Sequence, residues 1–423
     1  MKRSIPVMML IGVLLAAVPV CATTPEAQQL LPTDEAMADL EFLVPGNTGF
    51  AARLYAHLVP GATNLFFSPL SISMAVGMVS AGARGETLSQ IEATMGFSLD
   101  QSRLHPAFNG LDWLLEARQD MPEGFGEGFT LHLVNSLWGQ VGHEFLPAFL
   151  GILGDFYGAG MRWTDFATDP DLARRTINAW VEEMTNDRIV ELLKPAHITA
   201  QTLLTLVNAV YFNAPWAFPF DPEDTEPGPF TLLDGSQDDV PMMHQTEVHR
   251  YTRGDDYESI ELDYNGNDLS MLIVVPDEGV FTGVESRLSA PFLEALDAAL
   301  TPEHVILTMP KFTFEWGDAI DSPLQAMGMV DAFDGSAADF SGMDGGRDLF
   351  IGSVIHKAFV AVDEAGTEAA AATAIVMVGS AMTQPTYHTV TIDRPFLFLI
   401  RDNDTGAILF LGRVLDPRGE SAS

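Results

Sequence analysis

This 423-residue chain is poor in basic residues and has a single cysteine. It holds 21 Lys plus Arg against 58 Asp plus Glu, a formal net charge of −37. So acidic an exterior disfavours nucleic acid, anionic membranes and heparin-like polymers as partners. Its one cysteine, Cys21, leaves no intrachain disulfide, so stability must come from packing. No apolar run is both long enough and charge-free enough for a transmembrane helix. Motifs that carry chemistry are equally scarce: there is no G-x-S-x-G, H-E-x-x-H, P-loop or C-x-x-C. "DAFDGSAADFSGMDGGRD" lacks the spacing and closing Glu of a calcium loop, and "GFGEGF" at 124–129 lacks the dinucleotide spacing. No metal or cofactor is therefore expected. A Ser/His/Asp triad assembles in space rather than in sequence, so a hydrolase stays open as one reading.

At the N-terminus, Lys2 and Arg3 precede "VMMLIGVLLAAVPV" and the small-residue ending "VCA". This reads as an export signal over 1–22, cut after Ala22, which makes the protein secreted or periplasmic. The cut would also remove the only thiol. The rival is a lipid anchor on Cys21, but Val20 behind Pro19 is a poor match for the small residue such a site places before its cysteine. Residues 23–44 are polar and acidic and are expected to form a flexible segment.

No repeat or composition break divides the remainder. "NTGFAARLYAHLV" reads as a helix capped by Asn47 or Thr48. "SPLSISMAVGMVSAGA" has Ser68 and Pro69 as cap and first-turn signals of a buried small-residue helix. "PDLARRTINAWVEEMTN" is amphipathic, with Leu172, Ile177, Trp180 and Val181 as its expected inner face. "TLLTLVNAVYFNA" and "LSMLIVVPD" read as buried strands, and "HVILTMPKFTFEW" alternates as a strand with one wet face. "FLFLIRDNDTGAILFLGRVL" is a hairpin around "DNDTG". Helices first and strands later make the class α+β.

The stretch "GTEAAAATAIVMVGSAM", 366–382, fits neither element well. Its Ala run favours helix, while Ile375, Val376 and Val378 favour strand. As a strand it would turn Thr367, Ala369, Ala371 and Thr373 to one face, all small and uncharged. Alone, it would pass for an Ala-rich helix or linker.

Its setting changes that. "NLFFSPLSISMAVGMVSAGARGETLSQI", "LVNAVYFNAPWAFPFDPEDT", "VIHKAFVAVDEAGTEAAAATA" and "DRPFLFLIRDNDTGAILFLGRVLDP" resemble the serpin family, in that family's order. The resemblance implies one serpin domain over 45–418, helices packed on a large, mostly antiparallel central sheet with smaller sheets. It also implies an exposed reactive loop, about 364–390. A serpin offers that loop to a serine protease, is acylated, and inserts the cut loop as a new strand before water can release the enzyme. The chain would then be no enzyme, its partner a target protease held covalently, and itself a monomer able to form loop–sheet polymers. The acidic surface, without a basic helix, disfavours a heparin-type activator. The runner-up is a non-inhibitory serpin-fold binding or chaperone protein. Against it stands the hinge, Glu364, Gly366, Thr367, Glu368, Ala369, Ala370, Ala371, Ala372 and Thr373, which carries no bulky residue or charge on the face that would be buried.

The resemblance nominates further residues. Ser68, Ser71, Asn208 and His356 match a polar cluster where the sheet opens. Phe212, Trp216 and Lys311, with Glu364, match the region where the loop would insert. The family's count from the hinge places the reactive bond at Ser380–Ala381, with Gly379 or Met382 as alternatives. "VMVGSAM" offers small apolar side chains to a shallow pocket, which suits elastase- or subtilisin-like enzymes and not trypsin.

Overall fold

β-Branched and aromatic runs become strands and buried small-residue runs become helices. The computed structural model describes residues 29–59, 61, 63–119, 128–158, 161–367 and 386–419. The leader 1–22 with Cys21, the hinge residues Glu368 to Thr373 and the bond Ser380–Ala381 lie outside them. In chain order the strands are β1 (Leu65–Phe67), β2 (Thr130–Gln140), β3 (Arg162–Thr164), β4 (Leu204–Pro215) and β5 (Glu226–Thr231). Then come β6 (Gln237–Arg253), β7 (Tyr257–Asp263), β8 (Leu269–Pro276), β9 (Thr301–Pro310) and β10 (Phe312–Ala319). The last are β11 (Val354–Val362), β12 (Gly366–Thr367), β13 (Tyr387–Thr391), β14 (Phe396–Asp402) and β15 (Ile408–Val414).

They form two sheets. One runs β1-β15-β14-β8-β7-β6-β9-β13, with β5 paired to β6. The other runs β10-β11-β12-β4-β2-β3. In the second sheet β10–β11 and β4–β2 are antiparallel, whereas β11–β4 and β2–β3 are parallel. With helices packed on these sheets the fold is α+β, as the sequence indicated. The helix Pro69–Ser80 is buried over its whole length and packs on β15, β4 and β2. Its cap is the expected one: Ser68 accepts from the Ser71 amide, and Pro69 stands in the first turn. The hairpin β14–β15 also forms where "DNDTG" placed it. Among the described residues no helix is long and apolar enough to cross a membrane.

Four local expectations need correction. Residues 29–44 are not a loose segment. The Leu30 amide donates to Asp155 O at 2.8 Å, Asn109 donates to Leu30 O at 2.9 Å, and Thr33 caps the helix Asp34–Ala38. Helix Leu40–Leu58 runs through Asn47 and Thr48, so neither is a cap. Asn47 is buried and accepts from Ser73 Oγ at 2.6 Å. Leu172 lies outside on helix Pro170–Met184 at 44% exposure, because Asn178 takes the inner face by bonding the Leu193 amide (2.8 Å) and carbonyl (3.0 Å). "HVILTMPKFTFEW" is two strands of different sheets, parted at Lys311.

Candidate functional site at the splayed seam

β4 and β11 are the middle strands of the second sheet, and they touch for only part of their length. They pair directly from Leu206↔Val354 to Val210↔Ala358. Beyond that they diverge, and β12 fills the gap at the far end. Gly366 stands opposite Pro215, and Thr367 stands between Ala214 and Val362. The chain thus leaves β11, turns back through Asp363, Glu364 and Ala365, and begins a new strand in the cleft beside its own parent.

Short polar contacts fix that turn. Asp363 Oδ1 accepts from the Ala365 amide at 2.9 Å and from the Gly366 amide at 3.3 Å, and the Asp363 amide donates to Gly366 O at 2.9 Å. The far wall supplies the remaining bonds. Trp216 N donates to Ala365 O and Phe220 N to Glu364 O, both at 2.9 Å, and the Trp216 indole donates to Asp363 O at 3.0 Å. Gly366 is required by close approach, since a Cβ there would lie 2.1 Å from Ala214 O.

The floor beneath β12 is aromatic. Tyr264 stacks on Trp216 at 4.6 Å and meets Phe212 edge-on at 5.4 Å. Its hydroxyl reaches Thr367 Oγ1 at 2.8 Å. All four side chains are buried. At the rim, Glu364 takes a bond from Lys311 Nζ at 2.6 Å and one from Thr225 Oγ1 at 2.7 Å. Burial works to raise the Glu364 pKa, but the bonds from Lys311 and Thr225 prevail and hold it below the usual carboxylate range.

The paired half of the seam carries the second cluster. His356 on β11 faces Asn208 on β4 in register. The Ser68 amide donates to His356 Nε2 at 3.0 Å, so Nε2 is unprotonated and Nδ1 carries the hydrogen that Asn208 Oδ1 accepts. Asn208 Nδ2 donates to Ser71 Oγ at 2.6 Å and also to Asn135 Oδ1, and Ser71 Oγ donates to Asn135 Oδ1 at 3.2 Å. Burial pushes the His356 imidazole down to about 3, so it is neutral at physiological pH.

The structure therefore draws Ser68, Ser71, Asn208 and His356 into one buried network, and Glu364, Gly366, Thr367, Phe212, Trp216 and Lys311 into another at the splayed end. Glu368 to Thr373, Ser380 and Ala381 lie outside the described residues. Sequence reasoning missed Asn135, Tyr264 and Thr225. Asn135 shares β2 with Thr130, His132, Ser136 and Gln140, so nothing in the run singles it out. Nothing local marks Tyr264 or Thr225. Among the described residues no group of three metal-binding side chains converges. What this arrangement can do is mechanical: a strand added between β4 and β11 must first part the seam and break the His356–Asn208 contact.

Comparison with known proteins places this geometry in context. The family model described as serpin (serine protease inhibitor) matches residues 45–417. The chain is 39% identical to human leukocyte elastase inhibitor over 389 residues, 89% of this chain and all of that protein. It is 39% identical over 370 residues to an uncharacterized serpin-like protein of Thermococcus kodakarensis, covering 87% and 84% of the two chains. The native-state crystal structure of tengpin, a thermophilic serpin, matches with a TM-score of 0.81 at 28% identity, over 94% of this chain and 99% of that one.

Proposed function

The chain belongs to the serpin family, and from that premise we propose that it inhibits serine proteases as a suicide substrate. The protease's serine oxygen attacks the carbonyl carbon of Ser380. The Ser380–Ala381 bond breaks, the new amine on Ala381 takes up the proton, and an ester joins protease and inhibitor. The freed hinge then extends β12 down the seam. About 14 inserted residues at ~3.3 Å each carry the enzyme roughly 45 Å and distort its oxyanion hole, which stalls hydrolysis.

The observation that carries this reading is β12. Both of its residues pair with β4 and Thr367 also pairs with β11, so continued insertion only lengthens an existing strand. Roughly a dozen new backbone bonds at about 1 kcal/mol net each supply on the order of 10 kcal/mol. Opposing them are the five direct β4–β11 pairs and the His356 network. For the target, the name of the human relative, an elastase inhibitor, agrees with the small side chains of "VMVGSAM".

Incubation with an elastase and with a subtilisin tests the reading. A band that survives boiling in detergent is expected, with a released fragment beginning at Ala381 on mass spectrometry. Cleavage outside 378–383, or trapping of trypsin alone, overturns it. We also propose that the chain is exported and loses 1–22, so that the mature protein starts at Thr23. Intact mass of protein recovered from its host decides this against a lipid-bearing Cys21.

A further inference from the structure

The outward face of β6, β9 and β13 is unlike the rest of this surface. Register places Val248 opposite His304 and Thr246 opposite Ile306. Across the next strand, Tyr387 lies beside His304 and Thr389 beside Ile306. Cross-strand partners share a face, and the His304 and Tyr387 rings meet at 5.5 Å. Val248, Ile306 and Tyr387 are 46%, 41% and 49% exposed. None of the six side chains is acidic, in a chain with 58 Asp and Glu. The neighbouring Glu247 and Glu303 alternate to the opposite face. Single exposed hydrophobics need no explanation, but three large ones in two consecutive rows across three strands form a patch. Loss of charge with gain of aromatic and aliphatic side chains is the composition of an interface core.

The position of the patch names its occupant. β13 is the edge strand of its sheet among the described strands, and it begins seven residues after Ser380. At no more than ~3.5 Å per residue, Tyr387 lies within about 25 Å of the reactive bond. A globular protease is about 40 Å across, so one that grips this bond overhangs the sheet. We propose that the face built on Val248, His304, Ile306 and Tyr387 is a second contact surface for the target protease. It selects an enzyme whose rim beside the active-site cleft is apolar and weakly charged. This rests on the inhibitory reading above.

The test is the rate of covalent complex formation with an elastase, for the parent and for the double variant Ile306→Thr, Tyr387→Thr. Threonine keeps strand propensity while removing apolar contact. The second-order rate constant is expected to fall about tenfold, with the melting temperature and the trapped-to-cleaved ratio held. An unchanged rate in the variant, with the parent trapping elastase normally, overturns the surface and leaves the inhibitory reading standing. A parent that traps no protease overturns both. Sedimentation gives the remaining arm. A concentration-dependent dimer of the parent that the double variant abolishes assigns the face to a second copy of the chain and overturns the proposal.

Discussion

The hydroxyls of Thr367 and Tyr264 meet at 2.8 Å in a site that excludes water, with Tyr264 stacked on Trp216 behind them. Thr367 is therefore held as an interior residue of the sheet, although the chain around it belongs to a loop region in sequence. Thr367→Arg should be incompatible with that place. Burying an unpartnered guanidinium costs several kcal/mol, so the hinge should leave the seam and insertion should slow. Deacylation would then win, and the inhibitor should become a substrate. The measurement is the number of inhibitor molecules consumed per protease inactivated; a ratio unchanged from the parent sinks the assignment of Thr367 to the hinge.

Gly366→Ala tests the same junction through the backbone. The added methyl would lie 2.1 Å from Ala214 O and 2.7 Å from Pro215 Cα, neither of which is a flexible side-chain end. β12 should unpair from β4, and the Trp216 indole should lose its bond to Asp363 O. Faster amide exchange at Ala214 and Trp216 and a red-shifted tryptophan emission are expected. Parent-like exchange and emission would show that the turn accommodates a side chain after all.

His356→Ala should weaken the closed seam by about 1–3 kcal/mol, since the Ser68 amide and Asn208 lose a buried partner. Latent or polymeric protein should then form on warming. The pH dependence adds a second signature. The unfolded chain protonates His356 below the ordinary imidazole value of 6.5, while the folded one, with its imidazole pushed down to about 3 by burial, does not. The histidine therefore costs stability as the pH falls from 6.5 towards 3, by up to about 1.4 kcal/mol per pH unit. The Ala variant has no imidazole to protonate, so its deficit against the parent should shrink in acid. Urea unfolding of the uncleaved protein at pH 7 and pH 5 checks both parts.

Ser380→Arg should redirect the inhibitor. A trypsin-type pocket holds a buried carboxylate that serine leaves unpaired and arginine satisfies, so trypsin should be trapped and elastase lost. If elastase trapping persists unchanged, the reactive bond lies elsewhere in 378–383.

How far the sequence could be read depended on the kind of signal. Ser68 and Pro69 announced a helix start because both act through their own backbone, and the hairpin about "DNDTG" is equally local. Patterns summed over a helix were less safe. Leu172 looked like core by spacing, yet Asn178 took the inner face through two bonds to Leu193, fifteen residues on. The segment 29–44 looked loose by composition. Its order comes from contacts with Asn109 and Asp155, residues that local reading cannot bring near. The polar cluster shows the same division. His356, Asn208, Ser68 and Ser71 came from family resemblance, and Asn135 and Tyr264 were visible only once the strands were side by side.

The parallel seam has one more consequence. Its two walls meet through residues such as Asn208 and His356, 148 positions apart, whereas β12 is joined to β11 by a turn of three residues. The rival for the seam is thus always present at high effective concentration, while the proper partner must be brought from far along the chain. The described chain leaves the seam at Thr367 and is paired again from Tyr387 on the edge of the other sheet, so any strand added to the seam would have to be drawn from the residues between those two points. On the inhibitory reading, any enzyme that cuts that run, target or not, would release the same motion, and only one still bonded to the cut end at that moment would be carried along.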